Sequence, residues 1–340
     1  MTQGLKWIVS PRFDGFFLIA SPLVAVAFYA IYLGTVSATG WTADSADEFA
    51  FLLFLLFTGL FDAPHIFQTF ARTHLDEAEY RRHRLLHWTS LAVTITVSIA
   101  AYMLDWSDLF LSLLSVYGAW HIIKQNVGFV RIYQKTNRHL EPRHSRLETR
   151  LLPLSLIFYY LHGHSDFEDL IRSVFAHVPW FNALSILQLV STLTVITLMA
   201  IVFWRNFQVF REKGQWNSPK MAMIASSLIL VFWLSLLNAP PLLLIAISTI
   251  GHNIQYQAWM WIYNQRRTRR VLVPSLALAG SLALGIMMIM GSDLWAIPYN
   301  GVVLWHYFID GHIWHFGAAP ELVVMLESGA AVKEPLEALG

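Results

Sequence analysis

The chain has no cysteine. That excludes disulfide frameworks, thiolate metal sites, iron–sulfur clusters and thiol catalysis together, and leaves imidazole, carboxylate and amide groups as the ligand inventory. Charge is scarce as well. Only 13% of the 340 residues are charged, and 23 Lys and Arg against 22 Asp and Glu give a formal net charge of +1. No acidic or basic excess points to nucleic acid, so the charges carry information through position alone. The zinc-peptidase string His-Glu-x-x-His is missing, and no two histidines are adjacent. The first absence excludes the peptidase helix; the second removes the His-His boxes of membrane fatty-acid desaturases, of which HRLLH (residues 83–87) would match only the first box. The opening MTQGLKWIVSPRFDG lacks a basic start followed by a short apolar run and a small-residue cleavage site, so the first apolar run reads as a membrane span and not as a removed signal.

What is abundant is apolar residue: 56% of the chain is hydrophobic and mean hydropathy is +0.50. This composition predicts an all-α, polytopic integral membrane helix bundle. A spanning helix takes about 20 mostly apolar residues, and windows of that length fall at 13–34, 49–70, 86–104, 107–131, 149–163, 182–204, 220–238, 240–264, 271–290 and 297–316, about ten transmembrane helices. The window at 149–163 is short and holds Pro153. Residues 1–316 form the bundle, and 317–340 a short cytoplasmic tail. Basic connections (72–84, 131–150, 205–220, 266–270) alternate with acidic or short ones (44–48, 105–108, 166–169, 238–241, Asp293). Since cytoplasmic loops carry the excess of Lys and Arg, both termini are expected in the cytoplasm of a multi-pass inner-membrane protein.

That orientation brings four of the 14 histidines to one depth. Counting about 1.5 Å per residue, His65, His121, His252 and His306 all fall between mid-membrane and the cytoplasmic interface. Each has a polar residue three or four positions away, hence on its own helical face: Asp62 and Gln68 beside His65, Gln125 beside His121, Gln255 and Tyr256 beside His252, Asp310 beside His306. Ionisable side chains at such depth face a bundle interior or a wet cavity and mark functional sites, although polar residues also serve as glue between helices. Four at one depth point to a shared metal site: His65, His121, His252 and His306 as ligands, Asp62, Asp310 and Tyr256 as catalytic or orienting groups. His83 and His87, at i and i+4, and His312 are additional candidate ligands. Lys124 either snorkels to the interface or points inward beside the site. His74, His139 and His144 read as solvated loop residues, His315 as interfacial, and His162 and His164 as part of a polar loop.

Imidazoles with acidic neighbours suit a non-haem Fe centre of one or two ions that activates O₂, or a Zn site that activates water. The single histidines on several spans, with the Pro64-His65 step in PHIFQ and the Gly251-His252 step in GHNIQ, resemble the bacterial Brp/Blh proteins, polytopic membrane carotenoid dioxygenases. That family carries Pro-His-Gly and His-Phe-Gly where this chain reads Pro-His-Ile and Gly-His-Asn. The resemblance implies a four-His iron, with His65, His121, His252 and His306 as its ligands. The expected partner is a lipophilic small molecule, a carotenoid or an acyl lipid, reached through membrane lipid, with an electron donor where the chemistry needs one. Aromatic residues near the four histidines (Trp120, Tyr256, Trp259, Trp261, Trp305, Tyr307, Trp314) would suit such a chain. The competing readings are a zinc-dependent lipid hydrolase, a haem-bearing electron-transfer protein, and a metal or proton transporter.

Overall fold

A computed structural model describes residues 4–143, 145–163, 183–237, 239–267 and 293–314. The predicted span 271–290 and the tail 317–340 lie outside the described residues. Among the described residues the protein is all-helical, without strands. Ten helices carry the fold: α1 (Pro22–Thr39), α2 (Ala43–Phe57), α3 (Ala63–Thr73), α4 (Glu77–Met103), α5 (Ser107–Thr136), α6 (Arg146–Gly163), α7 (Ala183–Lys213), α8 (Ser218–Leu234), α9 (Pro241–Arg267) and α10 (Asp293–Ile313).

Among the described residues, four stretches are long and apolar enough to cross a membrane: Pro22–Thr39, Ala43–Thr73, Glu77–Met103 and Leu184–Lys213. Their surfaces agree with that composition. In α1 and α7 only 11% of the most apolar window is buried inside the protein, leaving residues such as Leu23, Ile31, Leu189, Leu193 and Ile196 exposed. Faces of this kind are stable where the solvent is itself apolar.

Proline punctuates these helices. The first predicted span, 13–34, is interrupted: a π-helical turn over Asp14–Ile19 ends before Ser21, and α1 starts at Pro22. Another π-turn, Thr58–Asp62, joins α2 to α3. Pro64 follows it, with no N–H to give and a ring that would clash with the carbonyl four residues back in a regular α-helix. The wider turn accommodates it and resets the face on which the following residues project.

Contacts divide the chain into two units, Met1–Val24 with Ile122–Leu244 and Ala25–His121 with Ile245–Gly340. In the first, α6 packs on α7 and α8, and the buried polar groups are satisfied locally. Asp14 accepts from the backbone N–H groups of Ile8 and Val9 and from the Tyr133 hydroxyl. Lys220, wholly buried, donates to Glu141 at 2.9 Å and Glu148 at 2.8 Å, and Glu148 also accepts from Asn206 and Gln134. Two carboxylates share one ammonium, and burial pushes the Glu141 carboxyl above its ordinary range; Lys220 opposes that shift and Glu148 adds to it.

In the second unit α10 lies along α4 and touches α3. Leu91, Trp305, Ile309 and Ile313 form a buried cluster there. A Cβ on Gly301 would come within 2.6 Å of the Ile95 Cα, so the two backbones meet at a distance only glycine permits. This contact sets the height of α10, and with it the position of His306 one and a half turns further on.

Candidate metal centre

Four helices of the second unit each deliver one imidazole. His65 follows the π-turn and Pro64 on α3, His121 lies on α5, His252 on α9 and His306 on α10. All are buried, with exposures of 2%, 8%, 4% and 0%. One ligand nitrogen from each can be chosen so that all four lie within 4.8 Å of one another. The rings form a closed cycle of edge-on contacts: His65 on His252 at 4.8 Å, His252 on His121 at 4.8 Å, His121 on His306 at 4.9 Å and His306 on His65 at 4.2 Å, every pair close to perpendicular. The convergence that depth and spacing predict for these four side chains is present.

The dimensions fit a single ion. With metal–nitrogen bonds of about 2.1 Å, two ligand nitrogens are about 3.0 Å apart at right angles, about 3.4 Å apart in a tetrahedron and about 4.2 Å apart when opposed. The His65 and His252 Nε2 atoms stand 3.1 Å apart. A shared N–H···N bond would explain that pair by itself, but the Nε2 atoms of His121 and His306 are also buried and have no hydrogen-bond partner. An unsatisfied ring nitrogen in such surroundings is costly; a cation taking up the lone pairs accounts for both.

Behind His306 lies a chain of hydrogen-bonding groups. Its Nδ1 meets the Thr69 hydroxyl at 2.7 Å. Thr69 donates to Asp310 Oδ1 at 3.3 Å, and the Tyr256 hydroxyl donates to the same oxygen at 3.0 Å while accepting from the Trp314 indole at 3.4 Å. Thr69 Oγ1 also lies 3.0 Å from the Tyr256 hydroxyl; a metal taken up at Nε2 would leave the proton on His306 Nδ1, which Thr69 would accept while donating to the carboxylate. Orientation of metal-ligating histidines through the second ring nitrogen is the usual role of such partners. The other Asp310 oxygen is 3.8 Å from His121 Nε2. Asp310 thus lies behind His306 and beside the Nε2 face of His121, and is not one of the convergent group.

The other sequence-derived candidates separate. Tyr256 is buried, with its ring edge-on to His65 at 4.8 Å. Asp62 turns to Tyr299 at 2.8 Å and Asn253 at 3.4 Å, tying α9 and α10 to the π-turn. His83 and His87 gather with Glu79, as a group apart from the four, and the His312 ring lies edge-on to His83 at 4.8 Å. Lys124 is exposed. Among the aromatics, Tyr307 stacks on His121 at 4.9 Å, Trp314 touches Tyr256 and Trp259, and Trp305 packs against Phe70. Trp120 and Trp261 are 41% and 40% exposed and line no part of the centre; interfacial tryptophans read like lining ones in sequence.

Three other histidines differ from expectation, and three lie outside the described residues. His74 is not solvated: it packs against Phe70, Trp88 and His87, and burial, then the neighbouring His87, holds its imidazole down at about 4. His162 belongs to the end of α6, not a polar loop, and meets the Thr192 hydroxyl at 3.2 Å. His139 is half-buried on a short 3₁₀ turn, while His144, His164 and His315 lie outside the described residues.

Two residues that sequence reasoning passed over are central here. Thr69 stands four positions after His65 and so on its face; Glu79 stands four before His83 in EYRRHRLLH. Both spacings are visible in the chain. No family model, curated protein or solved structure matches this sequence.

Proposed function

We propose that the protein is an integral membrane oxygenase with a non-haem iron held by His65, His121, His252 and His306, acting on a lipophilic substrate such as a carotenoid or an acyl lipid. The observation that carries this reading is the cycle of four buried imidazoles with His306 oriented through Thr69 and Asp310. Four neutral nitrogens satisfy zinc in its closed tetrahedral form, whereas hydrolytic zinc sites keep one position for water and use three protein ligands. Iron takes up to six ligands, so held by these four it would keep the capacity to activate O₂. Haem fits poorly, because a macrocycle would have to pass between rings already in edge contact.

Iron bound here would supply O₂ activation. The chain's own residues do the rest. The four imidazoles are buried, with Tyr256 and Tyr307 packed against them. Thr69, Asp310 and Tyr256 hold the His306 ring in place, and Asp62 with Tyr299 and Asn253 holds the backbone that carries His65 and His252. Apolar helix faces outside match a substrate already dissolved in the bilayer.

In this reading about ten spans cross the inner membrane, the basic loops face inward and both termini are cytoplasmic. The test is elemental analysis of detergent-purified protein, followed by O₂ uptake with carotenoid or lipid supplied in micelles. Iron near one equivalent, with uptake lost in His252→Asn, is expected. Zinc as the functional metal, or turnover independent of O₂, would replace this reading with the lipid hydrolase.

A further inference from the structure

We propose that Glu79, His83 and His87 form a second site for a divalent first-row transition metal, separate from the four-imidazole centre. The three sit at i, i+4 and i+8 on α4. In a straight helix the outer two would be about 12 Å apart along the axis, too far to meet at one point with the middle residue between them. Here the helix is kinked: His83 has φ −130° and ψ 19°, outside the helical region. As a result Glu79 Oε1 stands 2.9 Å from His83 Nδ1 and 3.6 Å from His87 Nε2, and the three ligand atoms lie within 4.8 Å of one another. For metal bonds of about 2.0–2.2 Å, adjacent ligand atoms belong about 3.0–3.5 Å apart, the interval these distances bracket.

A hydrogen bond from His83 to Glu79 accounts for one contact of the three. The His87 ring has no exposure, neither of its nitrogens has a partner within 3.5 Å, and its Nε2 stands 3.6 Å from the Glu79 carboxylate. His87 directs Nε2 at the same carboxylate oxygen that His83 meets. Arg72 pairs with Asp76 at 3.2 Å and with the other oxygen of Glu79 at 3.4 Å, so Glu79 keeps Oε1 turned to the two histidines. Two histidines and one carboxylate make a three-ligand set with open positions, the donor type that takes Fe(II) or Zn(II). The His83 side chain, 26% exposed and edge-on to His312 on α10, gives the ion a way in.

The test uses the full chain in detergent, stripped with a chelator and titrated with Co²⁺, with bound equivalents counted by elemental analysis. Wild type is expected to bind two equivalents. Glu79→Gln and His87→Asn should each bind one, and His252→Asn should also bind one, with the d–d bands of the other site. The equivalent retained in each variant reports that the fold survives. Two equivalents in both Glu79→Gln and His87→Asn would overturn the proposal, as would a wild type binding a single equivalent that only His252→Asn removes. A single equivalent lost in Glu79→Gln and kept in His252→Asn would support this site while refuting the four-histidine centre.

Discussion

Replacing Thr69 by Val tests the chain behind His306 with the least disturbance to shape, since valine fills the same volume without the hydroxyl. Two losses follow. The His306 Nδ1 proton, now 2.7 Å from nothing that accepts it, is stranded in a side chain with no solvent exposure, and Asp310 loses one of its two hydroxyl donors. An unsatisfied buried group of this kind costs about 1–3 kcal/mol. Loss of a partner behind a ligating histidine typically weakens metal binding about 10–100-fold, which at about 1.36 kcal/mol per tenfold is about 1.4–2.7 kcal/mol. The two routes agree, so Thr69→Val should raise the metal dissociation constant about 10–100-fold in competition with a chelator of known affinity. Thr69→Ser keeps the hydroxyl and should stay within about threefold. Val and Ser variants both binding like wild type would show that His306 is not oriented through Thr69, and the assignment of Nε2 as its ligand atom would fall with it.

Asp310→Asn should weaken metal retention less than His306→Ala, because an amide oxygen still accepts from Thr69 and Tyr256 whereas alanine removes a ligand; complete metal loss in a folded Asn variant, read by elemental analysis, would make Asp310 a direct ligand. Gly301→Ala should destabilise the protein and lower metal occupancy together, since its Cβ would press on the backbone at Ile95, while Gly311→Ala, with open space around it, should change neither; thermal unfolding in detergent compares them. Glu148→Ala leaves Lys220 buried with a single partner and should cost about 3–5 kcal/mol, against a smaller loss for Glu141→Gln. Because the Glu141 carboxyl is raised in the folded protein, the stability it contributes is fully present below the ordinary carboxylate range and declines as pH rises through its raised value; Glu141→Gln should abolish that slope in unfolding midpoints measured between pH 4 and 8, and an unchanged slope would count against it.

The four histidines were legible because two independent periodicities agree on them. Loop charge sets the direction of each span, residue count sets depth, and both put His65, His121, His252 and His306 at one level before any contact is known. What neither periodicity carries is the identity of the neighbour across the interface. Asp62 and Asp310 look equivalent along the chain, each three or four residues from a histidine; only the π-turn before Pro64 sends Asp62 to Tyr299 and Asn253 while Asp310 reaches Thr69 and Tyr256. Trp120 fails because adjacency to His121 in sequence turns a side chain about 100° away from it on a helix, and Trp261, nine residues after His252, falls about 180° round from it. Glu79 was hidden by a different cause. A straight helix spreads i, i+4 and i+8 along its length, so EYRRHRLLH offers His83 and His87 as candidate ligands without Glu79, and the convergence of all three appears only once His83 leaves helical geometry. Departures from regular helix, a π-turn in one case and a kink in the other, are where residue spacing stops predicting contact, and both candidate metal groups in this protein are built beside one.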